Sequence, residues 1–80
     1  MSNEALRQAL DAKDWQTVHA LYKRAGLARL SEGFVCEAAF LLTQACVYAL
    51  EAGDHTSFET CWLLLAKEGY AAYRVHHIQS

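Results

Sequence analysis

Hydrophobic residues recur along the first part of the chain at the three- and four-residue spacing of an amphipathic α-helix. The pattern divides into two segments, and Asp14 between them is a suitable N-cap for the second. His19 falls on the polar side of that second helix, and Gly26 is the residue type that commonly ends helices. The pattern therefore predicts a first helical hairpin over residues 3–26. Its apolar positions are Ala5, Leu6, Ala9, Leu10, Trp15, Val18, Leu21, Tyr22 and Ala25.

A third helix is predicted over residues 32–52, with Ser31 as its N-cap. Most of its circumference is apolar. Its polar residues recur every seventh position and so lie along one narrow line of the helix. A helix this apolar is expected to be buried on most sides. The polar positions are Glu37, Gln44 and Glu51.

The fourth predicted helix begins after Gly53, where Asp54 is a suitable N-cap, and it ends at Gly69. Together with the third helix it forms a second hairpin over residues 32–69. Residues 70–80 form a tail that is expected to add one or two helical turns or to fray. The expected core face of the fourth helix is Phe58, Cys61, Trp62 and Leu65, whereas Leu63 and Leu64 point away from it.

These elements predict an all-α protein of a single domain. Four main helices are arranged as two antiparallel helix–turn–helix hairpins. The tail offers room for a short C-terminal helix in addition. The chain has 80 residues, which is the size of one small domain.

The two hairpins also share a weak sequence repeat with a period of 40 residues. The tight turn and the aromatic residue of the second helix coincide in both copies, as Tyr22 and Trp62 show. Periods of 20 to 50 residues are typical of stacked helical hairpins. The identical pairs are Ala5 and Ala45, Ala9 and Ala49, Leu10 and Leu50, Ala12 and Ala52, and Asp14 and Asp54.

The second copy, residues 39–69, resembles a degenerate tetratricopeptide repeat. Gly53-Asp54 matches the turn dipeptide of that family, Trp62 matches its aromatic, and Cys46 is a small residue where the family prefers Gly. A plain four-helix bundle is the alternative architecture.

The resemblance implies a scaffold that binds protein segments in a groove lined by the first helix of each pair. By that correspondence Phe40, Thr43 and Val47 face the groove, beside Arg7 from the first copy.

Composition favours association with a partner. Hydrophobic residues make up 54% of the chain and charged residues 20%, which is below the usual share in soluble domains. The net charge of −2 lacks the basic excess of a nucleic-acid binder or of a membrane-surface helix. The apolar segment at 34–50 is short for a spanning helix and contains Glu37, so membrane insertion is not expected.

The chain has three cysteines, no CxxC pair and no visible secretory signal, so a reducing, cytoplasmic setting is expected. Cys46 and Cys61 fall at the same height of the second hairpin, where core packing is favoured over a disulfide or a metal pair. His76-His77 is the one histidine pair and lies in the tail. No metal, cofactor or catalytic motif is recognised.

The sequence therefore predicts a non-catalytic protein–protein interaction module, such as an adaptor, a small chaperone or an inhibitor. A homodimer through the same apolar surfaces is a second expectation. Two alternatives are a small phage or mobile-element inhibitor of a larger host complex, suggested by size alone, and a nucleic-acid-associated helical regulator, which the acidic balance disfavours. The predicted partner-binding residues are Arg7, Phe40, Thr43, Gln44, Val47, Glu51, Leu63 and Leu64.

Overall fold

The computed structural model describes residues 3–70 and confirms the all-α class. Within this range the helices are α1 (Asn3–Asp11), α2 (Trp15–Ser31), α3 (Val35–Glu51) and α4 (His55–Leu64), and α4 continues into a π-helical segment (Leu65–Tyr70). Most of the predicted tail, including His76-His77, lies outside the described residues.

Three short turns of the same design join the helices, one every twenty residues. Lys13, Gly33 and Gly53 occupy equivalent positions and all have positive φ, of 55°, 88° and 72°. The next residue is a non-helical N-cap, with φ between −100° and −86° and ψ between 75° and 86°, after which the following helix begins. The 40-residue repeat in the sequence therefore corresponds to two successive helix-and-turn units.

Side chains of the predicted caps fix two of these helix starts. Asp14 accepts hydrogen bonds from the backbone N–H and the hydroxyl of Thr17, and Asp54 does the same with Ser57. The bonds from the backbone satisfy N–H groups that have no partner within the helix. Phe34 holds the corresponding place before α3 and makes no side-chain cap.

The prediction that Gly26 ends the second helix is wrong, because α2 continues through it to Ser31. Gly26 is buried inside α2, where its missing side chain lets α3 approach. The Ser31 cap and the start of the third helix are displaced with it, since α3 begins at Val35. The first hairpin therefore cannot end at residue 26. The largest contact between two helices is the one between α2 and α3.

Stacked aromatic rings form part of the contact between α2 and α3. Tyr48 of α3 stacks on Trp15 and Tyr22 of α2, with ring centroids 5.7 and 5.6 Å apart. The expectation that His19 lies on a polar face is wrong: its side chain is buried, and Nδ1 lies 2.8 Å from the Ala45 carbonyl oxygen. This hydrogen bond satisfies a polar ring within the interface.

Helix α4 covers a neighbouring face of α3. Cys61 is fully buried, and its Sγ–H donates to the Leu42 carbonyl oxygen at 3.5 Å. Leu64 also packs against this core, which corrects the expectation that it points away, whereas Trp62 is half exposed and stacks on Phe58. The buried cluster consists of Ala39, Leu42, Ala45, Cys46, Cys61 and Leu65.

Candidate functional site

Among the described residues, neighbouring helices cover α3 on one side only. α2 lies beside Tyr48, as the ring contacts require, and α4 lies beside Cys46, whose thiol contacts that of Cys61. Positions between these two contacts, such as Leu42, are fully buried. The opposite side of α3 remains exposed, although its residues are mostly apolar.

We call this exposed surface the α3 strip, and its spacing is regular. Its members alternate four and three residues apart, which is the spacing of a helix–helix seam in a coiled coil. Phe40, Val47 and Leu50 are 61%, 45% and 48% exposed. At 1.5 Å per residue the strip is about 21 Å long. It consists of Cys36, Phe40, Thr43, Val47 and Leu50.

The one hydroxyl in the strip does not interrupt its apolar character. Thr43 Oγ1 donates to the Ala39 carbonyl oxygen one turn earlier, at 2.7 Å. Because its proton is used within the helix, Thr43 mainly offers its methyl group to an incoming surface. A shallow depression lined by Cys36, Glu37, Phe40 and Leu41 extends the N-terminal end of the strip.

The two edges of the strip differ. On the α2 side lie Glu37, Gln44 and Glu51, the polar line predicted from the sequence. Glu37 forms an ion pair with Arg29 of α2 at 3.4 Å, which shows that this edge of the strip borders α2. The other edge borders α4, where Leu63 is 66% exposed.

Charge is distributed unevenly between the two halves of the molecule. Between Leu30 and Ala66, a stretch that contains α3 and α4, the sequence has no lysine and no arginine. The basic residues of α1, α2 and the turn between them are Arg7, Lys13, Lys23, Arg24 and Arg29. The carboxylates of the other stretch are Glu32, Glu37, Glu51, Asp54 and Glu59.

The predicted partner-binding residues occupy four different places. Phe40, Thr43 and Val47 lie on the α3 strip, with Gln44 and Glu51 along its edge. Leu63 is exposed on α4, and Leu64 faces the core instead. Arg7 is exposed on α1, which packs against α2.

Sequence reasoning missed Cys36 and Leu50 as surface residues. The alternating four- and three-residue spacing indicated them, but several parallel lines of apolar residues along α3 have this same spacing. Only the positions of α2 and α4 decide which line of residues is left uncovered.

The cysteines differ in accessibility. Cys36 is exposed, whereas Cys46 and Cys61 are buried as free thiols. Burial raises the pKa of the Cys46 thiol to about 12, and the neighbouring Cys61 thiol adds to the shift. Burial also raises the pKa of Cys61. Both thiols are therefore held neutral, which makes them poor nucleophiles.

Within the described residues, His, Cys, Asp and Glu form no group of three that could hold a metal ion. In the same part of the chain no helix is long and apolar enough to cross a membrane.

Comparison of the chain with protein-family models, with curated proteins and with solved structures finds no match. The resemblance to tetratricopeptide repeats therefore stays a prediction.

Proposed function

We propose that this protein is a non-catalytic protein-interaction module, and that the α3 strip is its contact surface. The observation that carries the proposal is the exposure of apolar residues at seam spacing on a helix whose opposite face is the core. Ordered apolar surface left in water is typical of interaction sites. An adaptor, a small chaperone and an inhibitor would all use such a surface, and they would differ in which protein they bind.

The size of the strip sets an expectation for affinity. Fully burying a Val, Leu or Phe side chain contributes about 1.5–3 kcal/mol. Phe40, Val47 and Leu50 are already about half buried, so together they would add roughly 2–5 kcal/mol on docking. Association costs about 4–15 kcal/mol in lost freedom of motion. A specific partner must therefore also contact the edges of the strip.

The first experiment compares a strip variant with a matched control. Phe40→Ser with Val47→Ser removes two exposed apolar side chains from the strip, whereas Leu27→Ser removes one from the outer face of α2, where it is 39% exposed. All proteins should keep their far-UV circular dichroism, because none of these positions is buried. Each is used as bait in source-cell extract, and any captured protein is purified and titrated by calorimetry.

We expect a partner whose binding is lost with the strip variant and retained with Leu27→Ser. Equal binding by the strip variant would assign the contact to another surface. Light scattering of the purified chain at two concentrations tests the homodimer in parallel. A dimer that the strip variant dissociates would identify the partner as a second copy.

A further inference from the structure

We infer that the occupant of the α3 strip is one amphipathic helix of another protein, with lysine or arginine beside its apolar seam. This inference rests on the proposed function and adds the chemistry of the partner. Shape, charge and the arrangement of this chain's own surfaces each contribute to it.

The shape of the strip fits a helix. Its five positions alternate four and three residues apart, so its side chains interdigitate with those of a second helix that has the same spacing. An extended peptide has side chains on alternate positions and no matching period. A strip of about 21 Å accommodates roughly four turns of a partner helix.

The charge beside the strip calls for a basic partner. Two carboxylates, Glu37 and Glu51, lie along the edge of the strip, and the sequence from Leu30 to Ala66 has no lysine or arginine. Glu51 is exposed in the last turn of α3, where the helix macrodipole is negative and the turn itself contains no basic residue. A cation on the partner at this end would interact with both the carboxylate and the dipole. Glu37 at the other end is already paired with Arg29, so we place the main charge contact at Glu51.

A second copy of this chain is a poorer occupant. An antiparallel two-fold pairing of two α3 helices places the same edge of both copies on one side, so Glu37 of each copy lies near Glu51 of the other. A parallel pairing turns the edge with Glu37 and Glu51 toward α4 of the other copy. That helix carries Glu59 but no lysine or arginine. Both arrangements bring like charges together.

A head-to-tail contact between the basic half of one copy and the strip of the next lacks a matching seam. Leu27 is the one large hydrophobic residue of the described α1 and α2 that is exposed. The shape and charge requirements are therefore met together by a foreign helix rather than by α2 of a second copy.

The test uses three synthetic helical peptides as probes. They share one leucine seam at alternating three- and four-residue spacing and differ only in the flanking residues, which are all Lys, all Gln or all Glu. Binding to the full chain is followed by fluorescence anisotropy at about 0.05 M and about 0.5 M NaCl, with chain concentrations up to about 1 mM. The rate of Cys36 alkylation reports independently whether the strip is covered, because this exposed thiol is a member of it.

We expect the Lys peptide to bind about tenfold more tightly than the Glu peptide at low salt, and the difference to shrink at high salt. It should slow the alkylation of Cys36. Glu51→Lys should reduce the preference, whereas Glu4→Lys, an exposed charge change on α1, should leave it intact. Phe40→Ser with Val47→Ser should abolish binding of all three peptides.

Other outcomes would overturn the inference. Equal binding of all three peptides, lost in the strip variant, would keep the strip as a helix-docking surface but remove the basic partner. A dimer that blocks the peptides and dissociates in the strip variant would make a second copy the occupant. If the Lys peptide binds only after residues 71–80 are deleted, that segment of the chain is the occupant. Binding that persists unchanged in the strip variant would contradict the proposed function itself.

Discussion

Gly26 of α2 lies directly against Leu42 of α3, so that a Cβ at Gly26 would be 2.8 Å from Leu42 Cγ and 3.3 Å from its backbone nitrogen. Leu42 is fully buried, so a shift of its side chain would disturb the packed core around it. The two longest helices therefore make their close approach where α2 has no side chain. This contact explains why a glycine stands inside a helix that it would otherwise weaken.

Gly26→Ala is expected to destabilise the protein. An exposed Gly in a helix would gain about 1 kcal/mol on replacement by Ala. Here the added methyl overpacks the core, which costs about 1–3 kcal/mol, so we expect a net loss of up to about 2 kcal/mol. Urea denaturation measures it. Ala20→Gly, at an exposed site of the same helix, measures the effect of helix propensity alone. It should lower the free energy of unfolding by about 1 kcal/mol. A more stable Gly26→Ala protein would contradict the close approach.

Lys13→Gly is expected to stabilise the protein. Lys13 has φ of 55°, a left-handed conformation that costs an L-residue roughly 1–2 kcal/mol, and Gly33 and Gly53 hold the equivalent turn positions. Since Gly also loses more entropy on folding, the net gain should be about 0.5–1 kcal/mol, or a few degrees in Tm. Lys13→Ala retains a Cβ and should show no such gain. Equal effects of the two substitutions would argue against strain at this turn.

Asp54 is expected to make stability fall in acid. Hydrogen bonds from the Ser57 hydroxyl and backbone N–H, and then from Gln16, lower the pKa of Asp54 from 3.8 to about 2. Because the folded-state pKa is depressed, the stabilisation is complete above pH 4 and is lost as the pH falls toward 2. The urea midpoint measured between these limits should drop less steeply in Asp54→Asn.

Ser57→Ala provides the matched test of cause. It removes the hydroxyl that contributes most to the shift, so the pKa of Asp54 should rise toward its ordinary value. Part of the acid dependence should then disappear. An acid profile identical to that of the unchanged chain would show that another carboxyl group produces it.

Thiol reactivity should separate Cys36 from the other two cysteines. Iodoacetamide near neutral pH should modify Cys36 alone in the folded protein, because Cys46 and Cys61 are buried and their pKa values are raised. In denaturant all three cysteines should react. Mass spectrometry counts the modified sites, and rapid labelling of all three in the folded protein would contradict the packing of α4 on α3.

The same burial predicts a loss of stability in alkali. The pKa of Cys46 rises from 9.0 to about 12, so the neutral thiol favours the folded state fully below pH 9, and this contribution is lost as the pH rises toward 12. Cys46→Ala should flatten the decline in the urea midpoint over that range. A decline of unchanged steepness would assign it to other groups.

Leu63 and Leu64 are neighbours with opposite expected effects on stability. Leu63→Ser should change the free energy of unfolding by less than about 0.5 kcal/mol, because its side chain is already mostly in water. Leu64→Ser should cost about 1–2 kcal/mol, because Leu64 packs against the buried cluster. Each variant serves as the control for the other in thermal denaturation. Similar losses from both would mean that α4 is rotated about its axis.

The starts of α2 and α4 were predictable because their signals are local. Asp14 and Asp54 cap their helices through bonds that reach only three residues along the chain. Gly53 occupies a positive-φ turn for the same short-range reason. Lys13 shows the limit of such reasoning, because nothing in a lysine indicates that its backbone will be left-handed.

The site was predictable in part. Phe40, Thr43 and Val47 are exposed on α3, but their role in binding is a proposal. Leu64 was misplaced because two adjacent leucines in a short apolar helix look alike until a neighbouring helix covers one of them.

The sequence by itself determined the class of the fold and the Asp14 and Asp54 caps, since helical periodicity and capping act over a few residues. The tertiary structure alone decided that α2 runs through Gly26, that His19 is buried, and which line of α3 stays exposed. These features depend on which helices pack together. A helix that is apolar on nearly every side is compatible with several such packings, and only the positions of α2 and α4 select one.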